Sequence, residues 1–230
     1  MTYANGPVPD SATQAAVPAV TVRPVHWYHI WAGDDHHGSL WREAAEEHFA
    51  ALEAAEFGGD VHVGITGGHE QAARAWDWAE KRWPAVANIM AFGEGFEMPT
   101  IDALWKDSGN RVADTPVLYA HAKGAFNHDP GNIRYRRAMT AHLVSGWRDR
   151  VEELRDYDVL GLHWLTHDEF PDRISKGRPM PGGNFWWARA GYLCTLLPVE
   201  WYSRYCAEGW VGRGDPKAKG LLPGWPDYWW

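Results

Sequence analysis

The chain has 230 residues, with 22 Lys+Arg against 30 Asp+Glu for a formal net charge of −8, and is 45% hydrophobic and 14% aromatic. That composition excludes a disordered, collagenous or polybasic chain, and at about 100 to 200 residues per domain it fits one domain, or one with an appendage. Two cysteines, Cys194 and Cys206, cannot build a disulfide scaffold or a cysteine-rich zinc site, and no apolar run reaches the roughly 18 residues that would span a membrane.

Residues 1–24 mix Pro, Ala, Ser, Thr and Val without a period and lack the basic and apolar regions of a secretory signal, so they read as a flexible leader on a cytoplasmic protein. From Val25 the run Val-His-Trp-Tyr-His-Ile-Trp is β-branched and aromatic and predicts a first strand, broken by Ala32-Gly33. Over residues 39–57, Trp41, Ala45, Phe49, Leu52 and Ala55 recur at helical steps behind Ser39 and predict an amphipathic helix. Residues 60–66 form a second strand ending at Gly67-Gly68, and residues 69–83 a second helix that Pro84 stops. A third, buried strand is expected over 85–92, a short helix opens at Pro99, and a fourth strand covers 116–122. One long helix over 133–155 and a fifth strand over 157–164 complete the pattern, before Gly-, Pro- and Trp-rich segments take over.

Strands alternating with helices at this spacing predict an α/β protein with a mainly parallel sheet, covered on both faces and followed by an irregular aromatic C-terminal part. In such sheets ligands sit beyond the carboxyl ends of the strands, here residues 31–35, 66–68, 93–97 and 121–123. No Gly-x-Gly-x-x-Gly follows the first strand and no phosphate loop is present, which weighs against dehydrogenases and P-loop enzymes. Sixteen tryptophans either build the core or line a cleft whose rings stack on a ligand, and composition leaves both open.

Several groupings are candidates for chemistry. His121 and Lys123, two apart at a strand end, share a face and as a cation pair would suit a diphosphate; the alternative is a core histidine beside a solvated lysine. Asn184-Phe185-Trp186-Trp187 after Gly182-Gly183 offers an amide and indoles to a ring and its hydroxyls, or is a buried strand. Glu208, a lone acid before Gly209-Trp210, is a general base if indoles shield it and a surface residue otherwise. Asp34-Asp35-His36-His37 reads as a solvated loop more than a metal cluster, because neighbouring side chains diverge, and Asp156-x-Asp158 precedes a strand and so caps a helix end or faces solvent. Arg134, Arg136 and Arg137 bind phosphate or form salt bridges with nearby acids.

The wording of Tyr119-Ala-His121-Ala-Lys123-Gly124, Trp147-Arg148-Asp149, Tyr157-Asp158-Val-Leu-Gly161, Gly183-Asn-Phe-Trp-Trp-Ala188 and Ala207-Glu208-Gly-Trp210 resembles a family of small viral and bacterial glycosyltransferase-like proteins of GT-A fold, including phage enzymes that decorate DNA. Tyr28-His29-Ile-Trp31-Ala32, Val63-Gly-Ile-Thr66-Gly67 and Glu97-Met-Pro-Thr100-Ile101 fit the same pattern, which covers about residues 25–214. The resemblance implies a single GT-A-like domain over 25–230 that moves a sugar from a nucleotide sugar, with UDP-linked donors favoured, to an acceptor hydroxyl. It implies a donor site of Tyr28, His29, Trp31, Ala32, Thr66, Gly67, Glu97, Thr100, His121 and Lys123. Glu208 would be the catalytic base, and Asn184, Trp186, Trp187 and Trp210 the acceptor or sugar pocket. The family's usual Asp-x-Asp is replaced by His121-Ala-Lys123, so a Mn²⁺ or Mg²⁺ cofactor would have to come from Asp34, Asp35 or Asp158, and no cofactor is firmly implied. Acceptor classes are a hydroxymethylated pyrimidine in phage DNA, steered by Arg134, Arg136, Arg137, Arg148 and Arg150, a surface glycan, or a small metabolite. The competing expectation is a catalytically idle sugar- or nucleotide-binding module, and neither reading includes a membrane or an obligatory protein partner.

Overall fold

The computed structural model describes residues 22–33, 40–93, 95–125, 129–166 and 179–223. Strand β1 (Val25–Trp31) leads to α1 (Leu40–Ala54), β2 (Asp60–Thr66), α2 (His69–Arg82), β3 (Val86–Ala91), α3 (Met98–Ser108) and β4 (Pro116–His121). Then come α4 (Pro130–Met139), α5 (Trp147–Glu153), β5 (Val159–Gly161), β6 (Trp164–Leu165), β7 (Met180–Pro181), β8 (Trp186–Arg189), α6 (Ala190–Leu193), α7 (Tyr205–Glu208) and β9 (Ala218–Gly220). Seven strands form one sheet in the order β3-β2-β1-β4-β8-β5-β9, while β6 and β7 pair separately. β3, β2, β1 and β4 run parallel; β8 is antiparallel to both β4 and β5, and β9 runs with β5. The result is the expected Rossmann-like, mainly parallel sheet with helices on both faces.

Alternation along β1 sends Tyr28 and Ile30 to one face and Val25 and Trp27 to the other. On the first face lie α1, which buries Trp41, Ala44, Ala45, His48, Phe49 and Leu52 at helical spacing, then α2 and α4. The second face carries α3, α6 and α7 through Ile101, Leu104, Leu193 and Ala207. Since α1 and α3 cover opposite faces, the chain reverses its winding between β1 and β4, and the carboxyl ends of those two strands frame the crevice where open sheets bind ligands. Most of the tryptophans pack in these two clusters, so the aromatic content is chiefly core.

Two close approaches seat the helices on the sheet. On the α3 face Gly64 of β2 leaves room for Thr100: a Cβ there would lie 2.1 Å from Thr100 Oγ1. On the α1 face His26 and His48 stack at 4.9 Å, with their Nε2 atoms 2.8 Å apart. Leu118 O, 3.2 Å from His26 Nδ1, can only accept, so His26 carries its proton on Nδ1 and His48 donates from Nε2. Burial holds His26 neutral down to about 3 and keeps His48 well below its ordinary range.

Four expectations change. Arg23 and Pro24 belong to the fold and not to a leader, because Arg23 pairs with Asp60 and donates to Gly58 O, and Pro24 O accepts from Asp60 N; residues 1–21 lie outside the described residues. β3 is an edge strand with several exposed positions and is not a buried one. The single helix over 133–155 is two, separated by a π-helical turn at Thr140–Ser145 and by Gly146, and that turn supplies Leu143 O to the indole of Trp187 at 2.7 Å. The fifth strand stops at Gly161, and its expected end pairs as β6 with β7.

Gly64→Ala should destabilise the fold by about 1–3 kcal/mol through overpacking against Thr100, read as a lower urea midpoint with an unchanged slope. The buried histidines add a pH dependence. Unfolded chains take up protons below about 6.5, whereas His26 in the fold does so only near 3, so its stabilisation is complete above pH 6.5 and declines as pH falls through that window. Between pH 7 and 5 each such histidine should cost about 2 kcal/mol, and a His26→Gln/His48→Gln variant should show a flatter dependence of Tm on pH than the parent.

Candidate active site

The centre of the crevice is Glu97, at the N-terminus of α3. Its Oε2 accepts hydrogen bonds from Tyr119 Oη on β4 at 2.8 Å and from Asn184 Nδ2, just before β8, at 2.6 Å. Asn184 Oδ1 accepts from Trp186 Nε1 at 2.9 Å, so both ends of the amide are engaged. This geometry needs Gly183 and Asn184 in the left-handed region, at φ 74° and 54°, and a Cβ on Gly183 would come within 2.6 Å of Tyr135. Asparagine tolerates such a φ better than most residues, and glycine does so freely.

His121 joins the same group. Its Nε2 donates to Gly183 O at 3.0 Å, which leaves the Nδ1 lone pair 3.7 Å from Glu97 Oε1. Burial, and Lys123 next to it, push its pKa down to about 3. The expected imidazolium of a cation pair is therefore a neutral ring, and among the described residues the cations beside Glu97 are Lys123 and Arg204. Burial lowers the Lys123 pKa, opposed by the nearby carboxylates of Glu208 and Glu97. Lys123 O accepts from Arg136 Nη1 at 3.0 Å, which anchors the loop after β4.

Glu208, at the end of α7, faces this group, and its pKa is raised by burial and by the like charge of Glu97, offset by Lys123 and Arg204. Glu97 is likewise raised by burial, with Tyr119, Asn184, Lys123 and Arg204 acting against the shift. Two carboxylates and two cations thus converge beyond β1 and β4, where two acids with raised pKa values suit proton transfer near neutral pH.

Beside them, His29 on β1 pairs in register with His121 and meets Thr100 Oγ1 at 2.8 Å and Thr66 Oγ1 at 3.4 Å. Thr66 Oγ1 donates to Phe96 O at 3.3 Å, so this buried chain fixes the loop that carries Glu97. Trp31, Ala32 and Gly67 lie along the same edge, where Ala32 N donates to Thr66 O and Gly67 N to Gly93 O.

Some expected site residues are elsewhere. Tyr28 points to the α1 face, buried against His48 and Phe49, because it alternates with His29. Trp187 likewise points away from Trp186, into the α1 core. Trp186 and Trp210 are fully buried, Trp186 stacked on Tyr119 at 5.2 Å and Trp210 donating to Leu197 O, so they support the crevice from beneath and present no ring to a ligand. Asp158 pairs with Arg189 and accepts from Lys217 N at 2.9 Å, at the amino end of β5 and away from the crevice. Asp34 and Asp35 lie outside the described residues, among which no three His, Cys, Asp or Glu side chains are grouped to hold a metal ion. Arg136 and Arg137 pair with Glu47, Arg150 with Glu153, and Arg148 donates to Ala55 O. Two participants were not expected: Tyr119, which shares the period-two face of His121 and Lys123, and Arg204, for which no local pattern exists.

No curated protein matches the chain. Among solved structures, the crystal structure of 4-diphosphocytidyl-2C-methyl-D-erythritol synthase is similar over 77% of this chain and 79% of that one, with 11% sequence identity and a TM-score of 0.40. A family model matches residues 27–209, a span that contains Glu97, Tyr119, His121, Lys123, Asn184, Arg204 and Glu208. The chain belongs to that family, described as Domain of unknown function (DUF8361).

Proposed function

We propose that this protein is a glycosyltransferase that moves a sugar from a nucleotide sugar to an acceptor hydroxyl. The observation that carries the reading is a buried Glu97, hydrogen-bonded by Tyr119 and Asn184 and 3.7 Å from His121 beyond β1 and β4, with Lys123, Arg204 and Glu208 close enough to act on it or on one another by charge. A binding module has no need to hold two carboxylates against their own repulsion, whereas transfer needs a base for the acceptor and cations for the leaving group.

In the proposed reaction the acceptor oxygen attacks the anomeric carbon. The bond from that carbon to the diphosphate oxygen breaks with its electron pair passing to the diphosphate, and Glu208 takes the acceptor proton. Lys123 and Arg204 offset the charge that develops on the diphosphate, Lys123 standing just after β4 where the resemblance places Asp-x-Asp. Glu97 acts by position: it holds Asn184 and Tyr119 while its like charge keeps Glu208 basic. The edge formed by Trp31, Ala32, Thr66 and Gly67 receives the nucleoside.

The direct test is a thermal-shift screen against UDP, GDP, UDP-glucose, UDP-N-acetylglucosamine and GDP-mannose, with and without Mn²⁺, since a ligand of the folded state raises its Tm. One nucleotide class should raise Tm without added metal; no shift from any of them would sink the reading. Lys123→Ala should weaken that nucleotide's Kd by about 10- to 100-fold, the loss of charge-assisted hydrogen bonds. Glu208→Gln should keep the Kd and lower donor turnover by about 10²- to 10⁴-fold, and a parallel loss of binding in both variants would overturn this division of labour.

The pH profile follows from the same groups. Glu208 must be ionised to act, and its pKa lies above the usual 4.5, so kcat/KM should fall on the acid side at a pH above that value. Lys123 must be protonated, and its pKa lies below 10.5, which places the alkaline fall below that value. Glu208→Gln should abolish the acid limb in its residual rate.

A further inference from the structure

The exposed Trp, Tyr and Phe residues among the described residues fall in two short segments beside the crevice, at residue 96 and over residues 201–205. Trp201 is 54% exposed, Tyr202 68%, Tyr205 41% and Phe96 50%, in a protein whose other described aromatic rings are buried or half-buried. Phe96 precedes Glu97, while Trp201 and Tyr205 lead into Glu208. The two segments meet, because a Cβ built on Gly95 would stand 3.9 Å from Trp201 Cζ3. Arg204 lies over the Tyr205 ring at 4.9 Å and donates to its hydroxyl at 3.2 Å, so that ring is held in place. Apolar surface concentrated beside polar groups in this way marks a binding site.

We propose that this aromatic surface is a stacking platform for a saccharide acceptor, whose ring lies on Trp201 and Tyr205 and offers a hydroxyl to Glu208; the inference rests on the transferase reading of the same site. The C–H face of a pyranose is apolar and flat enough to cover an indole or phenol, and its hydroxyls are donors that call for acceptors at the edge of the platform. Glu208 supplies one. A nucleic-acid acceptor needs cations along its phosphates, and among the described residues Arg136, Arg137, Arg148 and Arg150 are engaged with other groups of the protein. Arg136 and Arg137 are bound to Glu47, and Arg136, nearly fully buried, also donates to Lys123 O at 3.0 Å. Arg148 reaches Ala55 O, just before β2 begins, at the far end of the sheet from Glu208. A chain of net charge −8 disfavours a long phosphate backbone, the two crevice cations match no more than the diphosphate of a donor, and a neutral glycan is unaffected.

Saturation-transfer-difference NMR on the full chain with UDP present tests this, with cellobiose, N,N′-diacetylchitobiose, methyl α-D-mannopyranoside and the oligonucleotide dT10 as probes. At least one saccharide should give ring-proton signals that fall at least fivefold in Trp201→Ala and Tyr205→Ala and recover in part in Trp201→Phe, with circular dichroism and Tm verifying that each variant is folded. The platform is overturned by a saccharide signal equal in parent and Trp201→Ala, by no signal from any of the three, or by a Trp201-dependent signal from dT10 alone. The nucleotide-induced Tm shift, read on the same samples, separates the two ideas. A shift without saccharide binding sinks the platform only. Trp201-dependent saccharide binding without a shift from any nucleotide supports the platform and sinks the transferase reading.

Discussion

A carboxylate withdrawn from water needs donors, and the donors found by Glu97 tie the crevice together. Tyr119 reaches it from β4 and Asn184 from the turn before β8, so one side chain at the start of α3 is bonded to two neighbouring strands. Left without those partners, the buried acid would carry its full desolvation cost. The left-handed pair Gly183–Asn184 is where the backbone accepts strain to make that bond, and His121 secures the turn by donating to Gly183 O. Asn184 also receives the Trp186 indole, which joins the aromatic stack under the crevice to the polar group within it.

This frame divides labour between neighbouring groups. His121 and His29, paired across β4 and β1, are uncharged and act through hydrogen bonds, one on the Gly183 turn and the other on the loop before Glu97. Charge is left to Lys123, Arg204, Glu97 and Glu208. Raised carboxylates and a lowered lysine follow from burial in a shared low-dielectric space, where each opposite charge limits the shift of the other.

The sequence made the alternation of strands and helices legible, because β1, α1, β2 and α2 each carry their own period and stop signals. Residue type and spacing singled out Lys123, Asn184 and Glu208 as candidates, and the resemblance added Glu97. What the sequence did not contain was the facing of side chains. Trp186 and Trp187 are adjacent and alike, and only the place of β8 inside the sheet sends one beneath the crevice and the other into the α1 core. The charge of His121 depends on burial by residues far along the chain, and Arg204 reaches Glu97 only through tertiary folding. The break in the helix after Met139 is similarly non-local, since the π-helical turn is matched by an indole supplied from residue 187.

The position of β8 has a consequence for how the chain is assembled during synthesis. It lies between β4 and β5, yet both of those precede it in the chain. Until residues 186–189 emerge from the ribosome, β4 and β5 each present an unpaired edge, with Leu118 and Val159 among the apolar residues beside the gap. Such edges are templates for mispairing with other chains. The insertion also brings Asn184 to Glu97, so closing the sheet and completing the crevice are one late, long-range event. A nascent chain truncated before β8 has neither a closed sheet nor a site.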